Sequence, residues 1–193
     1  MKHLWMAVTS CLCALLIASA AASGDDGTLP DLGPAPYFNL VTAAGEEVQL
    51  AGLRGHLVVV SFFYTWCPDV CPLHTDKMAL IRDELGDAFG RDVVFASITF
   101  DPARDTPDVL IDYAKAFDAN VDGWHFLTGD AGHVRRVSAR YGLVTLPADT
   151  GFIDHNLVTT LVDRSGRTRV QYAGYRFDPR DVHADLQKLL EEP

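Results

Sequence analysis

The chain has 193 residues, 48% of them hydrophobic, and 26 acidic against 16 Lys and Arg residues give a formal net charge of −10. That length suits one domain plus a leader, with enough apolar side chains for a full core. The acidic balance argues against nucleic acid and anionic membrane surfaces as partners and suits a basic one.

Met1-Lys2-His3 and the apolar stretch from Leu4 to Ala22 have the basic start, apolar centre and small-residue end of a secretory signal peptide. The alternative for 1–22 is an uncleaved N-terminal anchor, which would be the chain's one membrane attachment. Either places the rest outside the cytoplasm, in a compartment such as the bacterial periplasm where disulfides persist. Cys11 and Cys13 read as small apolar fillers, which leaves Cys67 and Cys71 as the cysteines of the mature protein. Residues 23–36, rich in Gly, Asp and Pro, read as a flexible linker, and 37–193 as the domain.

Tyr37 to Val41 and Glu47 to Leu50 flank Ala43-Ala44-Gly45 and predict a hairpin. Leu57 to Phe63 is an apolar, β-branched and aromatic run, the pattern of a strand buried on both faces. Helical spacing then takes over near Pro72 and runs to about Phe89, with Gly90 as its stop. Val93 to Phe100 predicts a second buried strand. Thr106 and Pro107 read as N-cap and first position of the next helix. Trp124 to Leu127 is a short strand, Asp130 to Arg140 a helix, and Leu143 to Ile153 an irregular segment. Asn156 to Val162 and Thr168 to Tyr172 predict an antiparallel hairpin, followed by a closing helix from Asp178 to Glu192. Strand-helix-strand-helix followed by hairpin-helix is the order of a thioredoxin-like α/β domain. The expected architecture is a central mixed sheet flanked by helices, with an added N-terminal hairpin.

The chemistry concentrates in Tyr64-Thr65-Trp66-Cys67-Pro68-Asp69-Val70-Cys71-Pro72. Two cysteines on a strand-to-helix turn, with Cys71 beside the expected N-cap, meet orphan amides and the positive end of a helix dipole, which favour thiolate. Such a pair can form a static disulfide, cycle as a reversible one, or hold a metal. One residue more than Cys-x-x-Cys separates them, so the match to a thioredoxin redox motif is imperfect. Two thiolates are an incomplete site for most metals. With an imidazole they suit Cu(I) or Cu(II). In thioredoxins a proline stands in the loop facing the cysteine turn. Here that loop reads Gly151-Phe152-Ile153-Asp154-His155-Asn156, which makes His155 the candidate third ligand.

These motifs, with Phe100-Asp101-Pro102-Ala103-Arg104-Asp105-Thr106-Pro107, Leu127-Thr128-Gly129, and Asp154-His155-Asn156 leading into Leu161-Val162-Asp163-Arg164-Ser165-Gly166, closely resemble the Sco/SenC family. Members are thioredoxin-fold copper-binding proteins of cytochrome c oxidase assembly, and the resemblance spans about Phe38 to Leu190. It implies ligation of one copper ion by Cys67, Cys71 and His155, and cycling of Cys67 and Cys71 between dithiol and disulfide. It also implies copper delivery to, or reduction of the cysteines of, the dinuclear copper site of an oxidase subunit. Other periplasmic copper chaperones or thiol-disulfide reductants are the further partners. A thiol-disulfide oxidoreductase without obligatory metal is the alternative function. A peroxidase fits less well, because Thr65 stands two residues before Cys67 and no Thr-x-x-Cys is formed.

Three features depart from the family pattern: Trp66 before the first cysteine, Leu73-His74-Thr75 after the second, and a short stretch from Tyr141 to His155. They bear on partner choice rather than on the ligand set. His74 is an auxiliary-ligand candidate against the reading of a surface histidine. His125 and His133 read as structural or surface groups. Asp101 either bonds a ligand or caps its own turn. Asp69 adds negative charge near a cation or is a solvated turn residue. Asp154 is a candidate to orient His155, and Tyr64 and Trp66 are candidates to screen the site from water.

Overall fold

The computed structural model describes residues 28–147 and 151–192. The leader expected over 1–22, with Cys11 and Cys13, lies outside the described residues.

Among the described residues, β1 (Asn39–Thr42) and β2 (Glu47–Gln49) form the predicted hairpin, and Gly45 turns it with a φ of 82°. β3 (Leu57–Phe63) and β4 (Val93–Thr99) are buried at every position, as their uninterrupted apolar runs require. They pair in parallel, and β4 pairs in parallel with β5 (Trp124–Thr128). β8 (Val158–Val162) lies antiparallel to β3, and β9 (Thr168–Ala173) antiparallel to β8. The sheet is therefore mixed, in the order β2-β1-β5-β4-β3-β8-β9.

Alternate side chains of β3 feed two cores. Leu57, Val59 and Phe63 pack on one face with Met78 and Ile81 of α1 (Val70–Leu85), Leu110 of α2 (Pro107–Ala116), and Val182 and Leu186 of α4 (Pro179–Glu191). Val58, Val60 and Phe62 pack on the other with Val134 and Val137 of α3 (Ala131–Arg140). Each fully buried Val, Leu or Phe contributes roughly 1.5–3 kcal/mol, so β3 is held from both sides immediately before the cysteine turn.

Three expectations change. First, α1 starts at Val70 and ends at Leu85, where Gly86 takes a φ of 51°. Pro72 falls inside the first turn, where no amide has an intrahelical partner and a missing N–H costs nothing. Secondly, the segment read as irregular holds a small sheet of β6 (Thr145–Pro147) and β7 (Ile153–His155), with Thr145 opposite His155. Strands this short leave little alternation to read. Thirdly, the described part of the 23–36 segment follows β9: Leu32 N–H donates to the Thr168 carbonyl at 2.9 Å and Ala35 N–H to the Gly166 carbonyl at 3.0 Å. Arg169 reaches the Leu29 and Pro30 carbonyls, and Arg167 pairs with Asp31. Composition suggested a free tether, but backbone pairing is indifferent to side-chain polarity.

Candidate metal centre

β3 ends at Phe63 and the chain turns through Tyr64 to Asp69 into α1, so Cys67 sits on the turn and Cys71 in the first helical turn. The N-cap residue, Asp69, makes no side-chain capping bond. Instead Cys71 N–H donates to Cys67 Sγ at 3.3 Å, so the sulfur has the role a capping oxygen plays elsewhere. The orphan amides thus face Cys67 rather than Cys71. The Cys71 thiol donating to Cys67 is the main influence; with His155 and the Asp69 and Cys71 amides it overcomes burial and brings the Cys67 thiol down to about 4. That same bond, and then burial, pushes the Cys71 thiol far above its ordinary range. In the reduced, metal-free site Cys67 is the thiolate and Cys71 keeps the proton.

β7 delivers the third group. His155 Nε2 lies 3.4 Å from Cys71 Sγ, and the two sulfurs and one imidazole nitrogen all lie within 4.8 Å of one another. Among the described residues no other group of three His, Cys, Asp or Glu side chains comes together in this way. His155 Nδ1 donates to the Ile153 carbonyl at 2.8 Å, which turns the Nε2 lone pair toward the sulfurs. Burial opposes protonation of His155, but its bonds to Cys67 and to the Ile153 carbonyl outweigh that and raise its pKa. Tyr64 and the imidazole pack edge to face with ring centroids 5.5 Å apart, and Phe100 packs at 4.8 Å. Cys67, Pro68, Phe152 and His155 line a shallow pocket of about 280 Å³ that opens the site to the surface.

The other candidates separate cleanly. His74 is 1% exposed, and its Nε2 pairs with Thr159 Oγ1 at 2.7 Å. It is a buried structural group, neither surface histidine nor auxiliary ligand, and burial brings its pKa down to about 4. Asp154 does not orient His155, because the Ile153 carbonyl has that place; Asp154 itself is exposed. Tyr64 is buried and screens the site, whereas Trp66 is 60% exposed and does not. Asp101 closes its own turn: its carbonyl accepts from Arg104 and Asp105 N–H, and its carboxylate pairs with Arg104. Asp69 is exposed, and His125 and His133 stand outside the cluster. Asp105 was missed. It is 1% exposed, and its carboxylate accepts from Thr65 N–H at 3.2 Å and from the Thr65 and Thr99 hydroxyls. The available signal was an acidic residue closing a strand-end turn beside the cysteine loop.

A thioredoxin-like domain in which two cysteines and a histidine converge at the end of a central strand is a soft-metal or thiol-redox protein, and that is the class defined here. The SCO1/SenC family model matches residues 31–191, and the chain belongs to the SCO1/SenC family. It is 33% identical over 136 residues to the SCO2-like protein RT0576 of Rickettsia typhi, covering 67% of this chain and 65% of that one. It is 30% identical over 161 residues to the mitochondrial protein SCO2 of Saccharomyces cerevisiae, covering 80% and 51%. The match thus spans between about half and two thirds of these relatives' lengths. Bradyrhizobium japonicum ScoI, solved with copper bound, superposes with a TM-score of 0.68 at 28% identity, covering 81% of this chain and 99% of that one.

Proposed function

We propose that the protein is an extracytoplasmic copper metallochaperone of cytochrome c oxidase assembly. Cys67 and Cys71 as thiolates and His155 as neutral imidazole hold one copper ion as cargo. The observation that carries this reading is the convergence of two sulfurs and one imidazole nitrogen within 4.8 Å. The donor set fits the ion: soft sulfur favours Cu(I), and the imidazole widens the range to Cu(II). The copper-bound ScoI relative supports it further.

Loading displaces the proton that Cys71 keeps in the metal-free state, so copper binding releases a proton and weakens in acid. Three ligands at a shallow opening leave room for an incoming thiolate. Transfer then proceeds by ligand exchange, toward the dinuclear copper site of an oxidase subunit.

The same pair supports thiol chemistry on a partner disulfide. Cys67 thiolate attacks one partner sulfur and displaces the other as thiolate, forming a mixed disulfide. Cys71, after giving up its proton, attacks Cys67 and releases the partner dithiol. The Cys67 and Cys71 sulfurs are oxidised to a disulfide as the partner disulfide is reduced. Thiolate at Cys67 and thiol at Cys71 favour this order.

The test is copper binding by the reduced protein beside His155→Ala and Cys67→Ser, followed by chelator competition for Cu(I) and visible absorption for Cu(II). One equivalent in the wild type, with a thiolate-to-copper band that both substitutions weaken, is the expected result. Binding that is absent, or indifferent to His155, overturns the metal reading and leaves the thiol-disulfide oxidoreductase.

A further inference from the structure

We infer that Arg104 is the positioning residue that holds the His155-bearing hairpin closed on the cysteine turn. This rests on the copper reading above.

β6 and β7 form a separate two-stranded sheet, joined to the main sheet by no strand pairing among the described residues. His155 therefore needs anchors elsewhere if its nitrogen is to stay 3.4 Å from Cys71 Sγ. Arg104 supplies one. Its Nη1 donates to the Gly151 carbonyl at 2.7 Å, and its Nε pairs with the Asp101 carboxylate. The guanidinium carbon also lies 5.8 Å from the Tyr64 ring centroid and 5.3 Å from that of Trp66. One planar cation thus ties the β4–α2 loop to the residue two before β7, while packing on both aromatics of the cysteine turn.

Tyr64 makes the second tie: its hydroxyl accepts from Ile153 N–H at 3.2 Å. Arg104 and Tyr64 therefore grip the backbone at Gly151 and Ile153, and the Ile153 carbonyl in turn fixes His155 Nδ1. The path from Arg104 to the metal ligand runs through two hydrogen bonds, at the Gly151 and Ile153 carbonyls, joined by the backbone between them, and touches no sulfur. Asp101 matters as well, because it offsets the guanidinium charge beside a site meant for a cation. Lysine does not substitute: an ammonium lacks the planar fork that spans a carboxylate and a carbonyl while stacking on rings.

The experiment is a double-mutant cycle on Cu(I) affinity with Arg104→Ala, His155→Ala and the pair, alongside amide hydrogen exchange of the metal-free proteins. Arg104→Ala should weaken binding roughly 10–100-fold, the usual range for a residue that orients a metal ligand. In the His155→Ala background it should change nothing further. Without metal, the Ile153 amide should exchange faster in Arg104→Ala than in wild type, and Arg104→Lys should recover little of either effect. Equal losses with and without His155 would show a purely structural arginine and overturn the proposal. Wild-type affinity that depends on His155 but not on Arg104 overturns the latch alone, whereas affinity indifferent to His155 overturns the latch and the copper reading together. If Arg104→Ala does not fold, Arg104→Lys carries the same cycle by the same criterion.

Discussion

Asp105 and Thr65, 40 residues apart, are joined at both backbone and side chain: each carboxylate oxygen accepts the Thr65 amide at 3.2 Å, and one also takes the Thr65 hydroxyl. Burial raises the Asp105 carboxyl above its ordinary range, and the Thr65 and Thr99 donors offset only part of that rise. Thr65 stands two residues before Cys67, so the start of α2 secures the turn that carries the first sulfur. Asp105→Ala leaves a buried amide and two hydroxyls without their acceptor. A loss of roughly 2–3 kcal/mol is expected in urea unfolding. A midpoint within error of wild type would remove Asp105 from this role.

The asymmetry of the two thiols is testable directly. With its pKa brought down to about 4, Cys67 should alkylate with iodoacetamide at a rate nearly flat from pH 5 to pH 8, while Cys71 stays unmodified. Cys71→Ala removes the main influence on Cys67 and should move the midpoint of its reactivity upward. Peptide mapping by mass spectrometry reads both. Preferential alkylation of Cys71 would reverse the assignment of the attacking sulfur.

His74 gives the stability curve an acid limb. Its pKa falls from 6.5 unfolded to about 4 folded, because the buried ring resists charging. The unfolded chain therefore binds the extra proton first. The associated stability is fully present above pH 6.5 and is lost as the pH falls toward 4, by about 3 kcal/mol in all. Other groups titrate in the same window, so the comparison is with His74→Gln, which does not ionise. The gap in unfolding free energy between the two proteins should narrow by that amount from pH 7 to pH 4. A gap independent of pH would contradict the buried neutral ring.

Arg169 gathers Asp163, Glu192 and the Leu29 and Pro30 carbonyls around one guanidinium. Arg169→Leu should cost about 3 kcal/mol, as for other largely buried pairs broken from one side. It should also raise amide exchange at Leu32 and Ala35, which report arm pairing. Unchanged exchange there would show that the arm is held by its backbone bonds alone.

The fold was legible because it rests on long, uninterrupted patterns. Leu57 to Phe63 and Val93 to Thr99 contain no polar interruption beyond Ser61, Ser97 and Thr99, and two adjacent buried strands largely dictate the layers around them. The cysteines were legible because Cys67 and Cys71 are the two that fall outside the expected leader, and His155, one of seven histidines, because the order of elements brings its loop to the same end of the sheet. What stayed hidden depends on three-dimensional neighbours. The pairing of β6 with β7 involves three residues on each side, too few for a period to emerge. His74 sits at helical spacing that looks solvent-facing until Thr159 of β8 and the ring of Phe177 close over it. Asp105 and Arg104 lie in a Pro- and Asp-containing turn, where local chemistry already explains such residues and conceals their reach across the site.

The docking of residues 29–35 has a directional consequence. β8 leaves the sulfurs at Val158, and β9 begins at Thr168, the residue that pairs with Leu32 and Gly33. With β8 rising about 3.3 Å per residue, the arm is moored some four residue-steps away, at the opposite pole of the sheet. A load applied through the N-terminal side therefore pulls on the Arg169 hub and the strand beside it. The cysteine turn lies off that line of force, so a pull on residues 29–35 is not passed directly to Cys67, Cys71 and His155.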